Sequence, residues 1–331
     1  MRQFHGAVVA CAVAALTLLA PSGVRAEDKP VEVKLVDQFN AMFGSHPGFR
    51  ANHAKGAVFE GTFTPSPKAA SLSKAVFLQK APTPITVRFS NGGGLPDAPD
   101  IHPSGLIRGM AIKYHLPDSS EVDMVCISAN GFPVRTGEDF LALLQALAKS
   151  PPDAPKPTPL EQFLSTRPET AKALTAPTPV PVNYGTLPYF GVNAFKFTNA
   201  QGDVQYGRYR IVPVAETAYV STEEAAKREP NALADLTRAQ LAKSPIKFKL
   251  LVQLAKPGDP TDDATKVWPD TNPTVELGEI SITKAVPDSL SAEKALLFLP
   301  TNLTPGIDES NDPLIDVRTG AYAESFGRRS Q

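Results

Sequence analysis

The sequence predicts an α+β fold: one domain built on an eight-stranded antiparallel β-barrel, with surrounding helices and a long extended arm. Three observations predict it. Eight strand-like runs, each bounded by turn residues, fall into two sets of four. Helical patterns flank and separate these sets, and a proline-rich stretch lies between them. No internal repeat is visible, so we do not expect a repeat array.

The first set of strands is predicted at 57–63, 85–89, 108–114 and 122–127. The turns that separate 85–89 from 108–114, and 108–114 from 122–127, are rich in Gly, Pro, Asp and Ser, which is typical of antiparallel neighbours. Before this set, apolar residues at every fourth position predict an amphipathic helix over 31–43. After it, Thr136 is predicted to begin a helix, with Asp139 three residues on as in a capping box.

The second set of strands is predicted at 193–198, 204–212, 246–254 and 275–282, with a helical stretch over 223–242. Between the two sets, residues 151–188 include ten prolines. Apolar anchors interrupt this stretch, so we interpret it as a long irregular arm rather than a linker between domains.

The last segment, 312–329, is predicted to be a helix with Asp312 at its cap and Pro313 at its first position. Arg318, Tyr322 and Arg329 follow at intervals of four and seven residues. At 3.6 residues per turn these three side chains share one face of the helix.

The N-terminus predicts a secretory signal peptide over residues 1–26, followed by the folded domain over 27–331. Arg2 precedes a stretch of fourteen largely apolar residues, 7–20, and small residues at Val24 and Ala26 suit cleavage after Ala26. The stretch is short of the roughly 20 residues that span a bilayer, so we expect no membrane anchoring. Export to the periplasm is therefore predicted, and Cys126 is the one cysteine of the mature chain, which excludes an intramolecular disulfide.

The charge balance excludes one class of partner. The chain has 33 Lys plus Arg against 34 Asp plus Glu. A near-neutral chain lacks the positive field on which general nucleic-acid binding depends, so we expect no nucleic-acid partner.

Two short motifs suggest a catalytic site. His53 lies in the segment Arg50-Ala51-Asn52-His53-Ala54-Lys55-Gly56, directly before a predicted strand. Downstream, Val87-Arg88-Phe89-Ser90 places Arg88 and Ser90 on the same face of another strand. With these two motifs the sequence resembles the haem catalase family.

Further segments match that family in order. They are the strand over 108–114, Val192-Asn193-Ala194-Phe195, the stretch 263–269, the stretch 301–307 and finally Arg318-x-x-x-Tyr322. The last of these is similar to the family's proximal haem signature. The mature chain ends shortly after it, as in the minimal-length catalase-related peroxidases, so the resemblance indicates that subgroup.

The resemblance implies a non-covalently bound haem b and a role for each motif residue. Tyr322 would coordinate the iron as a phenolate stabilised by Arg318, while Arg50, Arg88 and Arg329 would bind the haem carboxylates. On the distal side His53 would move a proton between the oxygens of a peroxide, and Ser90 would fix its ring. Phe132 would pack near the distal face of the haem.

Two departures from the family pattern favour peroxidase over true catalase activity. Ser128 stands where catalases place a distal asparagine, with Asn130 two positions later. Gly92 stands where they have a valine that narrows the channel to the haem, so we expect easier access for larger organic reductants.

The prediction is thus an exported haem peroxidase that reduces hydrogen peroxide or organic hydroperoxides with a small organic electron donor. The alternatives are a true catalase, an enzyme that converts fatty-acid hydroperoxides, and a haem-free barrel that binds an apolar ligand. Catalases are commonly tetramers held by long N-terminal arms, and this chain keeps only a short one. We therefore expect a monomer or dimer.

Overall fold

A computed structural model describes residues 29–330 of the chain. The predicted signal peptide therefore lies outside the described residues, as do the first two residues and the last residue of the predicted domain. No helix between residues 29 and 330 is both long and apolar enough to cross a membrane.

The helices of the described part are α1 (Val31–Phe43), α2 (Ala69–Leu72), α3 (Gly137–Ala148), α4 (Pro159–Ser165), α5 (Pro168–Thr175), α6 (Thr222–Ala226), α7 (Ala232–Leu241), α8 (Ser289–Ala295) and α9 (Leu314–Arg329). The strands are β1 (Gly56–Pro65), β2 (Thr83–Asn91), β3 (Arg108–His115), β4 (Glu121–Ile127), β5 (Tyr189–Phe190), β6 (Phe195–Thr198), β7 (Val204–Pro213), β8 (Ile246–Leu254), β9 (Thr274–Ala285) and β10 (Ile307–Glu309). Single 3-10 turns occur at Val76–Leu78, Pro103–Gly105 and Tyr184–Thr186.

Eight of these strands close into an antiparallel barrel, which confirms the predicted fold. Around the barrel the order is β7-β5-β4-β3-β2-β1-β9-β8, and β8 pairs back onto β7 to complete the ring. Strand β6 pairs with β7 beside the short β5, and β10 extends the sheet from β6.

One member of the predicted ring is wrong. The predicted strand 193–198 corresponds to β6, which lies outside the ring, and the eighth place is taken by β5. Strand β5 has two residues, which pair with Ile127 on one side and with Arg210 and Ile211 on the other. Two residues are too few to show an alternating pattern, so the sequence carries no strand signal there.

The proline-rich arm and the stretch 223–242 are also more divided than predicted. The arm holds two short helices, α4 and α5, each with a proline in its first turn, and Thr158 forms a capping box with Glu161 at the start of α4. The stretch 223–242 becomes α6 and α7, separated by Pro230. Proline at the first helical position favours a helix start, whereas proline inside a helix interrupts it.

The barrel interior is a packed core. Alternate residues of each strand point inward, and large side chains fill the space between them. Five of these are fully buried, at 0% exposure: Phe59, Phe63, Phe89, Tyr114 and Phe248. Their rings contact one another, for example Phe63 and Tyr114 with centroids 5.5 Å apart. Contacting aromatic rings therefore fill the described interior, which argues against the haem-free alternative of a barrel that holds an apolar ligand.

The outer face of β2 carries two of the predicted site residues. Arg88 and Ser90 alternate with the core residues Val87 and Phe89. In the register of the sheet, Ser90 lies between Gly56 of β1 and Gly109 of β3, so this part of the barrel wall has no side chains beside the serine.

Candidate functional site

His53 and Ser90 meet at the start of β1. The Nδ1 atom of His53 lies 3.0 Å from Ser90 Oγ. The backbone of His53 has φ 55, a left-handed conformation that is uncommon for residues other than glycine. The Asn52 side chain accounts for part of this geometry, since its Oδ1 accepts hydrogen bonds from the backbone N–H groups of His53, at 3.0 Å, and Gly93, at 2.8 Å.

Glycine at position 109 makes the contact between His53 and Ser90 sterically feasible. A Cβ atom there would lie 2.5 Å from Ser90 Oγ and 3.1 Å from His53 Nδ1. Any other residue at position 109 would therefore push the serine and the imidazole apart.

The imidazole of His53 is held neutral. Burial, followed by the positive charges of Arg88 and Arg50, lowers the pKa of His53 to about 3. A neutral imidazole with its Nδ1 hydrogen-bonded to a hydroxyl can accept a proton at Nε2, which is what a general base requires.

Arg50 and Arg88, whose charges act on this histidine, form a group with Arg329 that shares two acceptors. Arg88 Nε donates to Glu293 Oε2 at 2.7 Å, and Arg50 Nη1 lies 3.4 Å from the same oxygen. Arg50 Nη2, at 2.7 Å, and Arg329 Nη2, at 2.6 Å, both donate to the carbonyl of Leu296. We call Arg50, Arg88 and Arg329 the arginine cluster.

The arginine cluster has more positive charge than the protein neutralises. Among the described residues, Glu293 supplies the carboxylate in contact with it. Burial and the neighbouring guanidinium groups lower the pKa of Arg50 well below its usual range and that of Arg329 to about 10. Arg329 Nε is buried without a hydrogen-bond partner. A buried donor and uncompensated positive charge suit an anionic group with several acceptor oxygens.

Tyr322 and Arg318 form the second half of the site, one turn apart on α9. Arg318 Nε donates to Tyr322 Oη at 3.2 Å, and Arg318 Nη1 donates to Asn193 Oδ1. Asn193 Nδ2 in turn donates to Asp312 Oδ2 at 2.8 Å. Arg318 thus connects the Tyr322 hydroxyl to Asn193 and, through that amide, to Asp312.

Hydrogen bonds join the two halves of the site. The backbone N–H of Ala51 donates to Ser325 Oγ of α9 at 3.1 Å, and Arg50 and Arg329 share the Leu296 carbonyl. The segment that carries His53 therefore lies against the helix that carries Tyr322.

Phe132, the remaining predicted site residue, packs in an apolar cluster. The Phe132 ring makes an edge contact with Phe140 at 5.0 Å between centroids, and Phe132 also contacts the apolar cluster of Val192, Ala264 and Leu314. Cys126 is buried and free among the described residues, and burial raises the pKa of its thiol to about 12.

The structure explains one departure from the family pattern and corrects the other. Ser128 Oγ accepts a hydrogen bond from the backbone N–H of Arg108 at 2.9 Å. The hydroxyl therefore lies at the end of the barrel where β3 begins and β4 has ended. Gly92 does not widen a channel, because a Cβ there would lie 2.8 Å from the carbonyl oxygen of Ser104. The space beside Gly92 is filled by main chain, and the expectation of easier access at this position is wrong.

The sequence motifs did not reveal Glu293 or Asn52 as site residues. Glu293 lies outside every motif and in α8, where the sequence pattern of an isolated glutamate is typical of an exposed helix position. Asn52 lies inside the His53 motif. Its role could have been predicted, because asparagine side chains commonly hydrogen-bond nearby backbone groups.

Comparison with known proteins agrees with this geometry. The family model described as Catalase matches residues 32–330. The chain is 35% identical over 298 residues to a catalase-related peroxidase of Mycolicibacterium paratuberculosis, covering 89% of this chain and 93% of that protein. It is 29% identical to a catalase-related peroxidase of Synechococcus elongatus, covering 90% of this chain and 88% of that one.

Longer catalases match over part of their length. The chain is 30% identical to a catalase of Pseudomonas syringae, of which it spans 56%. A crystal structure of a fungal catalase superimposes with a TM-score of 0.75 at 21% identity, over 89% of this chain and 62% of that one. This likeness supports the barrel fold.

The depressed pKa of His53 predicts a pH dependence of stability. Between about pH 6.5 and 3 the unfolded chain binds a proton at this histidine and the folded chain does not. The contribution of His53 is therefore complete above pH 6.5 and is lost as the pH falls, at up to about 1.4 kcal/mol per pH unit. In urea unfolding between pH 4 and 7, the stability of the wild type relative to that of His53→Gln should fall as the pH is lowered. Parallel curves would contradict a buried neutral histidine.

Proposed function

Because the chain belongs to the catalase family, we propose that it is an exported haem b peroxidase that reduces hydrogen peroxide or an organic hydroperoxide with a small organic donor. The observation that carries this proposal is the Arg318–Tyr322 pair on α9, the helix that is hydrogen-bonded to the segment bearing His53. Proteins of this family are haem-dependent, and the relatives that match nearly end to end are catalase-related peroxidases.

The residues present suit a non-covalently bound haem. Tyr322 would ligate the iron, with Arg318 stabilising its phenolate, and the arginine cluster would bind the two carboxylates at the haem edge. No Cys-x-x-Cys-His motif for covalent attachment occurs in the sequence. When bound, the haem supplies the redox chemistry, and an anionic proximal ligand favours ferric iron and O–O cleavage.

His53 would handle the proton of the peroxide. Its neutral ring can take a proton at Nε2 from one peroxide oxygen and return it to the other as the O–O bond breaks. Ser90 Oγ, on Nδ1, and Gly109, which leaves room for both side chains, hold the ring in place during this transfer. The protein therefore contributes a positioned base with cationic side chains around it.

Position 128 supports peroxidase activity over true catalase activity. Ser128 provides no amide, and its hydroxyl is engaged by the backbone of Arg108. A second peroxide molecule would then lack a donor to orient it. A true catalase remains the alternative with the same site, whereas no described residue identifies a channel for a fatty-acid hydroperoxide.

Spectroscopy of two variants tests the haem assignment. The purified wild type should show a Soret band after expression with adequate haem, and Tyr322→Phe should shift or lose it because the phenolate ligand is removed. His53→Ala should keep the band and lose about 100-fold or more in peroxidase rate, since general base catalysis is lost. An unchanged spectrum for Tyr322→Phe would exclude this tyrosine as the ligand.

Oxygen release compared with donor oxidation tests the reaction type. We expect oxidation of an aromatic donor such as guaiacol to exceed oxygen release from hydrogen peroxide in the wild type. Ser128→Asn should raise oxygen release relative to donor oxidation, and Ser128→Ala serves as the control that removes the hydroxyl without adding an amide. Vigorous oxygen release by the wild type would instead favour the true catalase.

Export follows from the N-terminal pattern and has its own test. The secreted or periplasmic protein is expected to begin at Glu27, as read by N-terminal sequencing or mass spectrometry. Intact Met1 in an exported fraction would contradict cleavage. Light scattering of the mature protein should show a monomer or dimer.

A further inference from the structure

Glu293 is buried among positive charges, and the proposed function assigns it no role. It lies in α8, is 7% exposed, and accepts from Arg88 through both Nε, at 2.7 Å, and Nη2, at 2.5 Å. Its Oε2 atom also lies 3.4 Å from Arg50 Nη1. Because burying a carboxylate is costly, the contact of Glu293 with two guanidinium groups calls for a physical explanation.

The net charge of the arginine cluster gives one explanation for the burial of Glu293. Three guanidinium groups and one carboxylate leave the arginine cluster with a net charge of +2. Burying that much charge is costly unless a partner compensates it. The two carboxylates of a haem edge bring a charge of −2, so the assembled site would be neutral. Without Glu293, one positive charge would remain in excess.

The geometry of Arg88 gives a second explanation. The Nη2 atom that contacts Glu293 also donates to the carbonyl oxygen of His53 at 2.8 Å. The guanidinium is confined on its other side as well, because a Cβ at Gly56 would lie 2.4 Å from Nη2. Glu293 therefore holds the arginine that holds the left-handed backbone of the distal histidine.

We propose that Glu293 is a positioning residue that sets the arginine cluster at a net charge of +2 and fixes Arg88 against the main chain of His53. The Arg88 guanidinium would then link the binding of the haem carboxylates to the position of His53. This inference rests on the proposed function, since it requires haem to be the dianion.

The charge part is tested by haem release. The protein is loaded with haem or with its dimethyl ester, whose two carboxyl groups are neutral, and loss to excess apo-globin is followed at the Soret band. For Glu293→Gln the cluster becomes +3, so the ratio of ester to haem dissociation rates should rise by about tenfold. Glu324→Gln is the matched control, because it removes the same charge from a solvent-accessible pair with Arg328 on α9. A ratio equal to that of the control would overturn the charge assignment.

The positioning part is tested with Glu293→Asp. This variant keeps the charge and shortens the side chain, so the ester-to-haem ratio should stay near that of the wild type. Its rate constant with hydrogen peroxide should fall by about tenfold or more at equal haem content, because the histidine is displaced. A wild-type peroxide rate in both Glu293 variants would overturn the coupling to His53. If the wild type itself binds no haem, the proposed function fails rather than the role of Glu293.

Discussion

The placement of the Arg88 guanidinium is the constraint on which the site depends. This group is 3% exposed, lies on the barrel wall and bridges the carboxylate of Glu293 to the carbonyl of His53. Because α8 and the His53 segment are far apart in sequence, this bridge ties two separate parts of the chain to one strand. The bridge thus adds a link to the barrel wall to the other hydrogen bonds that hold the His53 segment.

The register of the barrel makes this placement possible. Alternation along β2 buries Val87 and Phe89 in the core and turns Arg88 and Ser90 outward. Gly56 and Gly109 lie across from Ser90 on the two neighbouring strands. A slip of one residue in either pairing would exchange the inner and outer faces and bring side chains against the serine. The packed aromatic core holds that register, so the interior supports the chemistry on its surface.

Sequence reasoning was most successful where a local pattern or a motif carried the signal. The helix over 31–43 was predicted with its observed bounds, and seven of the eight ring strands were predicted near their observed positions. The two-residue β5 and the short helices of the proline-rich arm have too few residues for periodicity, so barrel closure at β5 depends on long-range pairing. For the site, motifs placed His53 with Ser90 and Arg318 with Tyr322, whereas Glu293 becomes a site residue only through contacts across more than 200 positions. The error at Gly92 has the same origin, since the main chain that fills its side-chain space comes from Ser104.

The same positive charges affect both cofactor binding and proton transfer in the proposed chemistry. Arginines suited to bind carboxylates also act on His53, where after burial they are the next causes of its lowered pKa. Binding a dianion would offset that charge and weaken this effect, which shifts the pKa of His53 upward toward its ordinary value. The base would remain neutral at physiological pH in either state, because the pKa starts about three units below 6.5. Anchoring the cofactor would thus raise the basicity of His53 without protonating it before the peroxide arrives.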